Sequence, residues 1–254
     1  MNDPRPLTCY PIPGLPEIQP GDDLAALLAA AIRDAGIVLG AEDVVAVCQK
    51  VVSKAEGRIV DLGTVTPSHF ATQIAAGTDK DPRIIEVILR ETTRIVKMAQ
   101  GHLICETGPG WICANAGIDE SNAVRADTVT LLPRDADAAA EHLRARLSAD
   151  AGGVPIGVVV TDTFGRPWRD GLVDIALGVA GIGAVLDCRG TTDMGGRELH
   201  HTMFAVGDQI AAAAGLLMEK GGGVAAVVVR GITWERTGGR GRDLIRPAAL
   251  DLFR

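Results

Sequence analysis

The sequence predicts a mixed α+β fold and not a doubly wound parallel sheet, for two reasons. Predicted strands and helices alternate irregularly along the 254 residues. Residues 103–113 read as a hairpin around Gly108-Pro109-Gly110, which is typical of antiparallel pairing. Neither an internal repeat nor a convincing linker interrupts the chain. We therefore expect one domain over residues 1–254, with mixed and antiparallel sheets packed against helices.

The N-terminal part of the chain predicts an irregular segment, a helix and a buried strand. Residues 7–20 contain four prolines, which favour an irregular loop over a helix, and the alternative is an N-terminal strand that wraps over the surface. Asp22 or Asp23 then caps a helix that Gly36 ends. The apolar run at residues 44–48 follows the helix and predicts a strand buried in the core.

The rest of the chain predicts further helices and strands in irregular order. Thr66-Pro67 and Asp81-Pro82 each combine a cap with a first-turn proline, so each is expected to start a helix. The second of these helices is expected to run to about Met98. Apolar spacing predicts the remaining elements, which are helices at residues 135–147 and 207–220, strands at 128–132, 156–160 and 224–229, and a second buried run at 174–180.

The main candidate site follows the predicted strand at residues 156–160. The apolar run stops at Thr161-Asp162-Thr163, so a carboxylate and a hydroxyl are expected at the sheet edge, where ligands bind in open α/β sheets. Two guanidinium groups, Arg166 and Arg169, follow in a turn that contains glycine and proline. Hard oxygens suit magnesium or manganese, and guanidinium groups suit phosphate or carboxylate. The alternative is a polar turn with local ion pairs.

Two other polar segments are candidate ligand sites. Lys50 and Lys54 follow the first predicted strand, and each lysine offers a mobile positive charge to a phosphate. The loop at residues 115–122 contains Asp119, whose oxygens suit a metal, and Asn122, whose amide both donates and accepts hydrogen bonds. The alternatives are a solvated strand-to-helix turn for the first segment and an asparagine- and aspartate-rich turn for the second.

A glycine-rich segment near the end of the chain is a weaker candidate for nucleotide binding. Glu219 and Lys220 precede Gly221-Gly222-Gly223, and glycines allow a ligand to approach the backbone closely. The sequence contains neither Gly-x-x-x-x-Gly-Lys-Ser/Thr nor Gly-x-Gly-x-x-Gly. A nucleotide site in this protein must therefore differ from a P-loop and from a dinucleotide-binding turn.

Composition and charge limit the classes of function. The 32 acidic and 25 basic residues give a net charge of −7, which argues against general nucleic-acid binding because phosphates must be neutralised by bases. The five cysteines include no Cys-x-x-Cys pair, so neither a disulfide framework nor a structural zinc site is expected. No signal-like N-terminus or membrane-length apolar run occurs. We expect a cytoplasmic protein without a membrane partner.

Three of these segments together resemble the coenzyme F420:L-glutamate ligase family, the gamma-glutamyl ligases of deazaflavin biosynthesis. They are Val52-Ser53-Lys54, residues 115–122 (Asn-Ala-Gly-Ile-Asp-Glu-Ser-Asn) and residues 162–169 (Asp-Thr-Phe-Gly-Arg-Pro-Trp-Arg). The resemblance extends from Pro13-Gly14-Leu15-Pro16 to the last predicted strand. Some bacterial relatives carry an additional C-terminal, nitroreductase-like domain that binds flavin. We expect this chain to be the stand-alone form.

The resemblance implies a GTP-dependent ligase with two divalent ions, magnesium or manganese, and with potassium as a further candidate cation. It implies that Asp119 and Asp162 hold one divalent ion and that Thr163 helps to hold the second. Arg166 and Arg169 are catalytic candidates together with Asp162. The positions that match the family's GTP site are Leu15, Pro16, Glu17, Ile18, Gln49, Lys50, Lys54, Asn122, Leu216, Leu217, Met218, Glu219, Lys220, Gly221, Gly222 and Gly223.

The implied reaction agrees with the chemistry of these residue types. A carboxylate is a poor acyl donor, but phosphorylation by GTP gives an acyl phosphate from which the amine of L-glutamate displaces phosphate. In the family, the first acceptor is the lactyl carboxylate of the deazaflavin precursor F420-0, and further glutamates join through gamma linkages. The resemblance also implies an intertwined homodimer. The alternative functions are a metal-dependent phosphohydrolase and a non-catalytic nucleotide-binding regulator.

Overall fold

The computed structural model describes residues 6–99, 101–120, 127–218, 221–234 and 238–252, which form twelve strands and six helices. The strands are β1 (Thr8–Pro11), β2 (Val44–Cys48), β3 (Ile59–Asp61), β4 (Thr92–Ala99), β5 (His102–Thr107), β6 (Ile112–Ala114), β7 (Thr128–Thr130), β8 (Gly157–Arg166), β9 (Arg169–Ala180), β10 (Leu186–Asp187), β11 (Met203–Phe204) and β12 (Ala226–Arg230). The helices are α1 (Leu24–Asp34), α2 (Gln49–Ala55), α3 (His69–Ala75), α4 (Pro82–Arg90), α5 (Ala136–Asp150) and α6 (Val206–Gly215).

A five-stranded sheet forms the centre of the fold. Its strand order is β1-β12-β2-β8-β9, and every neighbouring pair is antiparallel except β2 and β8. The predicted mixed α+β class is therefore confirmed. In the parallel pair, Val44 lies opposite Gly157 and Cys48 lies opposite Thr161. This register brings the segment that follows β2 and the polar part of β8 to the same edge of the sheet.

Helices cover both faces of this sheet because its central strands are apolar on both sides. One face packs against α1 and α5, and the other packs against α6. Gly178 allows the start of α5 to approach β9, because a Cβ atom at this position would lie 2.0 Å from the carbonyl oxygen of Ala136. No helix in the described part of the chain is both long enough and apolar enough to cross a bilayer.

A second group of elements packs around its own apolar cluster beside the main sheet. It contains α3, α4, the β3–β7 ribbon and the β4-β5-β6 sheet, so the hairpin predicted at residues 103–113 is confirmed. The chain leaves β6 through Asn115 and Ala116, which both have positive φ values, of 52° and 54°. It then reaches Asp119, whose backbone exchanges two 2.9 Å hydrogen bonds with Thr130. β7 therefore fixes the position of Asp119.

The helix expected to run from Asp81-Pro82 to Met98 is too long by about half. Asp81 caps α4 as predicted, but α4 ends at Arg90 and the following residues form β4, which pairs with β5. Thr92 and Thr93 are β-branched and favour a strand. Pairing with a distant segment therefore overrides the helical spacing of apolar residues, and the expected C-terminal half of this helix is wrong.

Other helix boundaries differ by smaller amounts. Asp23 and Asp135 cap α1 and α5 as predicted. The helix expected to start at Thr66-Pro67 starts two residues later, with the Ser68 side chain as its cap. The helix expected at residues 207–220 ends at Gly215. Helix ends are decided by local capping and by neighbouring elements, which apolar spacing does not report.

Candidate active site

β8 and β9 form a long hairpin that carries the main predicted motif. The strand expected over residues 156–160 continues to Arg166, and the turn lies at Pro167-Trp168, where Trp168 has a φ of 61°. The predicted turn therefore contains Pro167, as expected, but not Gly165, which lies on β8. The register shifts between Val160 and Thr161, which is typical of a β-bulge beside an active site. Asp162 and its neighbours lie on a paired strand and are held more rigidly than loop residues.

Several segments converge on a cavity of about 600 Å³ at one edge of the main sheet. β1 pairs antiparallel with β12, so the loop after β1 lies beside the segment that precedes β12. The Cys48 amide donates to the carbonyl oxygen of Ala225, which brings the end of β2 to the same edge. The lining residues are Leu15, Pro16, Glu17, Ile18, Gln19, Cys48, Gln49, Lys50, Val51, Lys54, Asp119, Asp162, Thr163, Met218, Gly223, Val224 and Ala225.

The irregular loop predicted for residues 7–20 is wrong for Thr8–Pro11, which pair with β12 as β1. Residues 12–20 are irregular as predicted, line one side of this cavity and are anchored by two isoleucines. Ile12 and Ile18 are 0% and 1% exposed and belong to the main apolar core. The Ile12 amide also donates to the carbonyl oxygen of Ala226. Leu15, Pro16 and Glu17, between these anchors, form part of the cavity wall.

α2 begins directly after β2 and presents two lysines to the cavity. Lys50 and Lys54 are four residues apart and therefore lie on the same side of the helix. Nζ of Lys54 lies 2.5 Å from Oε1 of Glu17, and the lysine is only 5% exposed. Gln49 is also buried and accepts a hydrogen bond from the Ser53 hydroxyl. The alternative of a solvated strand-to-helix turn is therefore wrong.

Asp162 is the carboxylate that the cavity perturbs most strongly. Burial raises the pKa of Asp162 to about 7, and the negative charges of Asp119 and Asp174 act in the same direction. The Thr163 amide, which donates to Oδ1 of Asp162 at 2.8 Å, and the Lys50 ammonium group oppose this rise. At neutral pH this group of carboxylates therefore favours a bound proton or cation.

The charges in the cavity fit a divalent cation. Nζ of Lys50 lies 2.7 Å from Oδ2 of Asp119, so a cationic group already contacts a carboxylate that the resemblance assigns to a metal. Across the described ranges, no group of three or more histidine, cysteine, aspartate or glutamate side chains could hold a metal. The predicted set has two carboxylates and the Thr163 hydroxyl, all hard oxygens that suit magnesium or manganese.

Burial raises the pKa of Cys48 to about 11, so this thiol stays protonated.

Comparisons with known proteins support the resemblance seen in the motifs. A family model described as F420-0:Gamma-glutamyl ligase matches residues 14–231, a range that contains every residue of the cavity wall. The chain belongs to the F420-0:gamma-glutamyl ligase family. The family assignment made from the motifs is therefore confirmed.

Curated relatives match this chain over most of their length. Coenzyme F420:L-glutamate ligase of Methanothermobacter thermautotrophicus is 42% identical over 246 residues, which are 96% of this chain and 97% of the relative. The protein of the same name from Methanopyrus kandleri is 44% identical over 253 residues, or 98% of each chain. That of Halobacterium salinarum is 45% identical over 228 residues, or 87% of this chain and 85% of the relative.

Most of the positions matched to the ligase family's GTP and metal sites meet in this cavity. The loop at residues 15–18, both lysines, Gln49, Met218, Gly223 and the proposed metal ligands all contribute to its wall. Leu216 is exposed, and Leu217 packs against the apolar cluster under α6. Gly221 and Gly222 do not line the cavity. Asn122, Glu219 and Lys220 lie outside the described residues.

The two arginines proposed as catalytic lie away from the cavity wall. Arg166 and Arg169 are opposite each other in the backbone register at the tip of the β8–β9 hairpin. The Arg166 side chain donates to the backbone carbonyl of Asp170 at 2.7 Å. β8 continues for four residues beyond Asp162 before the turn. Neither arginine therefore contributes to the wall of the cavity that Asp162 lines.

Asp174 is a neighbour of the site that sequence reasoning missed. It lies opposite Thr163 in the β8–β9 register, and its Oδ1 atom accepts a 2.7 Å hydrogen bond from the Thr163 hydroxyl. The position of the hairpin turn was the signal that could have revealed it. With the turn placed at Pro167-Trp168, regular pairing puts Leu172 opposite Thr163 and Asp174 two residues further along the same face. The register shift between Gly165 and Arg166 then brings Asp174 opposite Thr163.

Proposed function

We propose that this chain is a GTP-dependent ligase that joins L-glutamate to the carboxylate of the deazaflavin precursor F420-0. Membership of the F420-0:gamma-glutamyl ligase family and the name of its relatives, coenzyme F420:L-glutamate ligase, support the substrate class. The observation that carries the proposal is the cavity in which Lys50 and Lys54 face Asp119 and Asp162. It combines cations for phosphates with carboxylates for metal ions.

In this proposal the nucleotide is bound by Lys50, Lys54, the loop at residues 15–18 and the segment before β12. Lys50 and Lys54 contact phosphate oxygens through charge-assisted hydrogen bonds, which are stronger than neutral ones. Gly223 has a φ of 69°, a conformation that favours glycine and brings the backbone near the ligand. The loop at residues 15–18 and the segment before β12 are then the candidates for contacts to the base.

Asp119 and Asp162 would hold one divalent ion, and Thr163 would help to hold the second. Such ions, when bound, neutralise charge on the transferred phosphoryl group. Asp162 is partly buried, so its charge acts more strongly on a bound cation than that of a fully exposed carboxylate would. The 2.8 Å hydrogen bond from the Thr163 amide fixes the orientation of this carboxylate.

The proposed reaction has two steps. A carboxylate oxygen of the precursor attacks the γ-phosphorus of GTP, GDP leaves, and an acyl phosphate forms. The amine of L-glutamate then attacks the acyl carbon, inorganic phosphate leaves, and the amine loses a proton as the amide forms. Lys50 and Lys54 are placed to stabilise negative charge on the phosphates in the first step.

The nucleotide preference is part of the same proposal. Guanine presents a carbonyl acceptor where adenine presents an amino donor, so a buried partner of fixed polarity is left unsatisfied by the wrong base. Such a mismatch costs about 1–3 kcal/mol, or roughly ten- to a hundred-fold in affinity. We expect GTP to be used better than ATP. ITP, which keeps the carbonyl, should also be used better than ATP.

Mass spectrometry of a reaction mixture tests the proposed function directly. The protein is incubated with F420-0, L-glutamate, Mn²⁺ and GTP, ATP or ITP. The expected product is heavier than F420-0 by one or more glutamyl residues. GDP and phosphate should accumulate from GTP only when F420-0 and L-glutamate are both present. GTP hydrolysis that is independent of glutamate, without a ligated product, would favour the alternative phosphohydrolase. Binding of GTP without any turnover would favour the regulator.

We also propose that the protein is a homodimer. Large exposed apolar side chains at the β8–β9 tip and on the β10–β11 ribbon support this proposal, because contact with a second subunit would remove their apolar surface from water. Trp168 is 79% exposed and Leu172 is 60% exposed, and Met203 and Phe204 are also exposed. Light scattering should give twice the 26.4 kDa chain mass. An active monomer at low micromolar concentration would contradict the proposal.

A further inference from the structure

Asp174 faces the proposed metal ligand Thr163 across the β8–β9 hairpin. The two residues are directly opposite in the antiparallel register, so their side chains lie on the same face of the sheet. The Thr163 hydroxyl donates to Oδ1 of Asp174 at 2.7 Å. The charge of Asp174 is also close enough to Asp162 to act on that carboxylate.

This hydrogen bond determines what the Thr163 hydroxyl can offer to a ligand. A threonine hydroxyl has one proton and two acceptor lone pairs. Because the proton points to Asp174, the lone pairs point elsewhere and are available to a cation. A hydroxyl without such an acceptor could rotate and direct its proton at the cation. Asp174 therefore makes Thr163 a better ligand without contacting the ion itself.

The other oxygen of Asp174 lies against the C-terminal end of α6. A Cβ atom added to Gly215, the last residue of α6, would lie 2.4 Å from Oδ2 and 2.8 Å from Cγ of Asp174. Only a residue without a side chain fits there. The C-terminal end of a helix carries partial negative charge, which is unfavourable beside a carboxylate. A cation near Thr163 would offset this cost, which is an independent reason to expect positive charge at this position.

We propose that Asp174 is a positioning residue that orients the Thr163 hydroxyl toward the second divalent ion, and that Gly215 provides the space for it. This inference rests on the proposed function, which assigns Thr163 to that ion. It predicts that substitutions at Asp174 and Gly215 weaken the binding of one ion and leave the ion held by Asp119 and Asp162 in place.

Mn²⁺ binding to the full-length protein in the presence of GDP tests the inference, with free Mn²⁺ followed by electron paramagnetic resonance. Wild type is expected to bind two ions per chain. Asp174→Ala should weaken the second ion about 10- to 100-fold, the usual effect of losing a residue that orients a metal ligand. Asp174→Asn should lose less, because its amide oxygen still accepts the threonine proton. Gly215→Ala should resemble Asp174→Ala.

Combination with Thr163→Val distinguishes positioning of the hydroxyl from a general effect of charge. If Asp174 acts through Thr163, Asp174→Ala adds little further loss when Thr163 is already valine. An equal loss in both backgrounds would overturn the inference. Asp170→Asn removes an exposed carboxylate near the tip of the same hairpin. If this variant weakened the second Mn²⁺ ion as much as Asp174→Ala does, the inference would also be overturned. Wild-type protein that binds only one ion would overturn the inference alone, whereas absence of any Mn²⁺ binding would overturn the metal assignment as well.

Discussion

Lys50 and Asp119 form an ion pair inside the cavity, with 2.7 Å between Nζ and Oδ2 and with both side chains largely buried. The same carboxylate is proposed to hold a divalent ion. The ammonium group and the ion therefore compete for Asp119 until a nucleotide phosphate offers Lys50 another partner. This ion pair predicts that metal and nucleotide bind cooperatively. A metal ion on Asp119 frees Lys50 for a phosphate, and a phosphate on Lys50 frees Asp119 for the ion.

Lys50→Met should tighten Mn²⁺ binding to the nucleotide-free protein and weaken GTP binding. Loss of the competing ion pair is worth about 1 kcal/mol, or roughly fivefold in metal affinity. Isothermal titration calorimetry with Mn²⁺ alone measures this effect. Lys97→Met is the matched control, since Lys97 is an exposed lysine on β4. Weaker Mn²⁺ binding in Lys50→Met would show that Lys50 supports the metal site and does not compete with the ion.

Lys54→Ala should weaken GTP binding more than it changes the response to L-glutamate. A charge-assisted contact to phosphate contributes roughly 1.5–3 kcal/mol, so the apparent affinity should fall about 10- to 150-fold. Glu17→Gln is the informative comparison, because Glu17 pairs with Lys54 but its side chain is 64% exposed. That variant should bind GTP at least as well as wild type. If only the glutamate response changes in Lys54→Ala, Lys54 belongs to another subsite.

The raised pKa of Asp162 predicts how stability and metal binding depend on pH. Asp162 has a pKa of about 7 in the folded protein and about 3.9 in an unfolded chain. Between these values the folded state holds a proton that the unfolded state has lost, so the contribution of this group to stability falls as pH rises from about 4 to about 7. Metal affinity should rise over the upper part of this range, because the ion needs the ionised carboxylate.

Thermal unfolding of metal-free wild type and Asp162→Asn at several pH values measures this contribution. Other carboxylates titrate in both proteins, so the difference between the two melting temperatures isolates Asp162. Asp162→Asn should gain stability relative to wild type as pH rises from 4 to 7. A constant difference across this range would show that the pKa of Asp162 is not raised. The same variant should lose ligation while remaining folded.

The pair formed by buried Asp43 and partly exposed Arg230 predicts a stability effect far from the cavity. Asp43 is 1% exposed and accepts hydrogen bonds from Nε and Nη2 of Arg230 at 2.7 and 2.6 Å, and from the Gly40 amide. Arg230→Met should lower the free energy of unfolding by about 1.5–3 kcal/mol, because it removes charge-assisted hydrogen bonds from a buried carboxylate that keeps only the Gly40 amide as a donor among the bonds described above. Urea denaturation measures this loss.

Arg33→Met provides the control for Arg230→Met. Arg33 pairs with Asp150 at 3.9 Å, and both side chains are more than half exposed. Loss of an exposed pair should cost no more than about 1 kcal/mol. Equal losses in the two variants would mean that burial of Asp43 does not determine the strength of its pair.

Much of the site could be predicted because local sequence and sheet register act together. The apolar runs before Gln49 and Thr161 identify two buried strands, and polar residues that follow such strands tend to meet at one edge of a sheet. The structure places Lys50, Asp119 and Asp162 around one cavity, as expected. Helix starts at aspartate caps were also predictable, since a cap depends on a few neighbouring residues.

The remaining features depend on contacts between distant segments. Residues Thr92–Ala99 have helical apolar spacing but form a strand, because β5 supplies a hydrogen-bonding partner. The polar residues after Thr161 look like a loop but are paired by β9. Asp174 becomes relevant only once the turn of this hairpin is located. Sequence spacing carries no information about such pairings, so these errors share one physical origin.

The parallel pairing of β2 with β8 also has a consequence for the order of folding. These strands are more than a hundred residues apart in the chain, whereas the β8–β9 hairpin closes locally through Pro167-Trp168. Because closing a long loop costs more entropy, Thr163 and Asp174 should meet before the lysines of α2 reach Asp162. If GTP and metal ions bind as proposed, they can recognise the chain only after this slow long-range step. They should prolong the lifetime of the folded protein and leave its refolding rate unchanged.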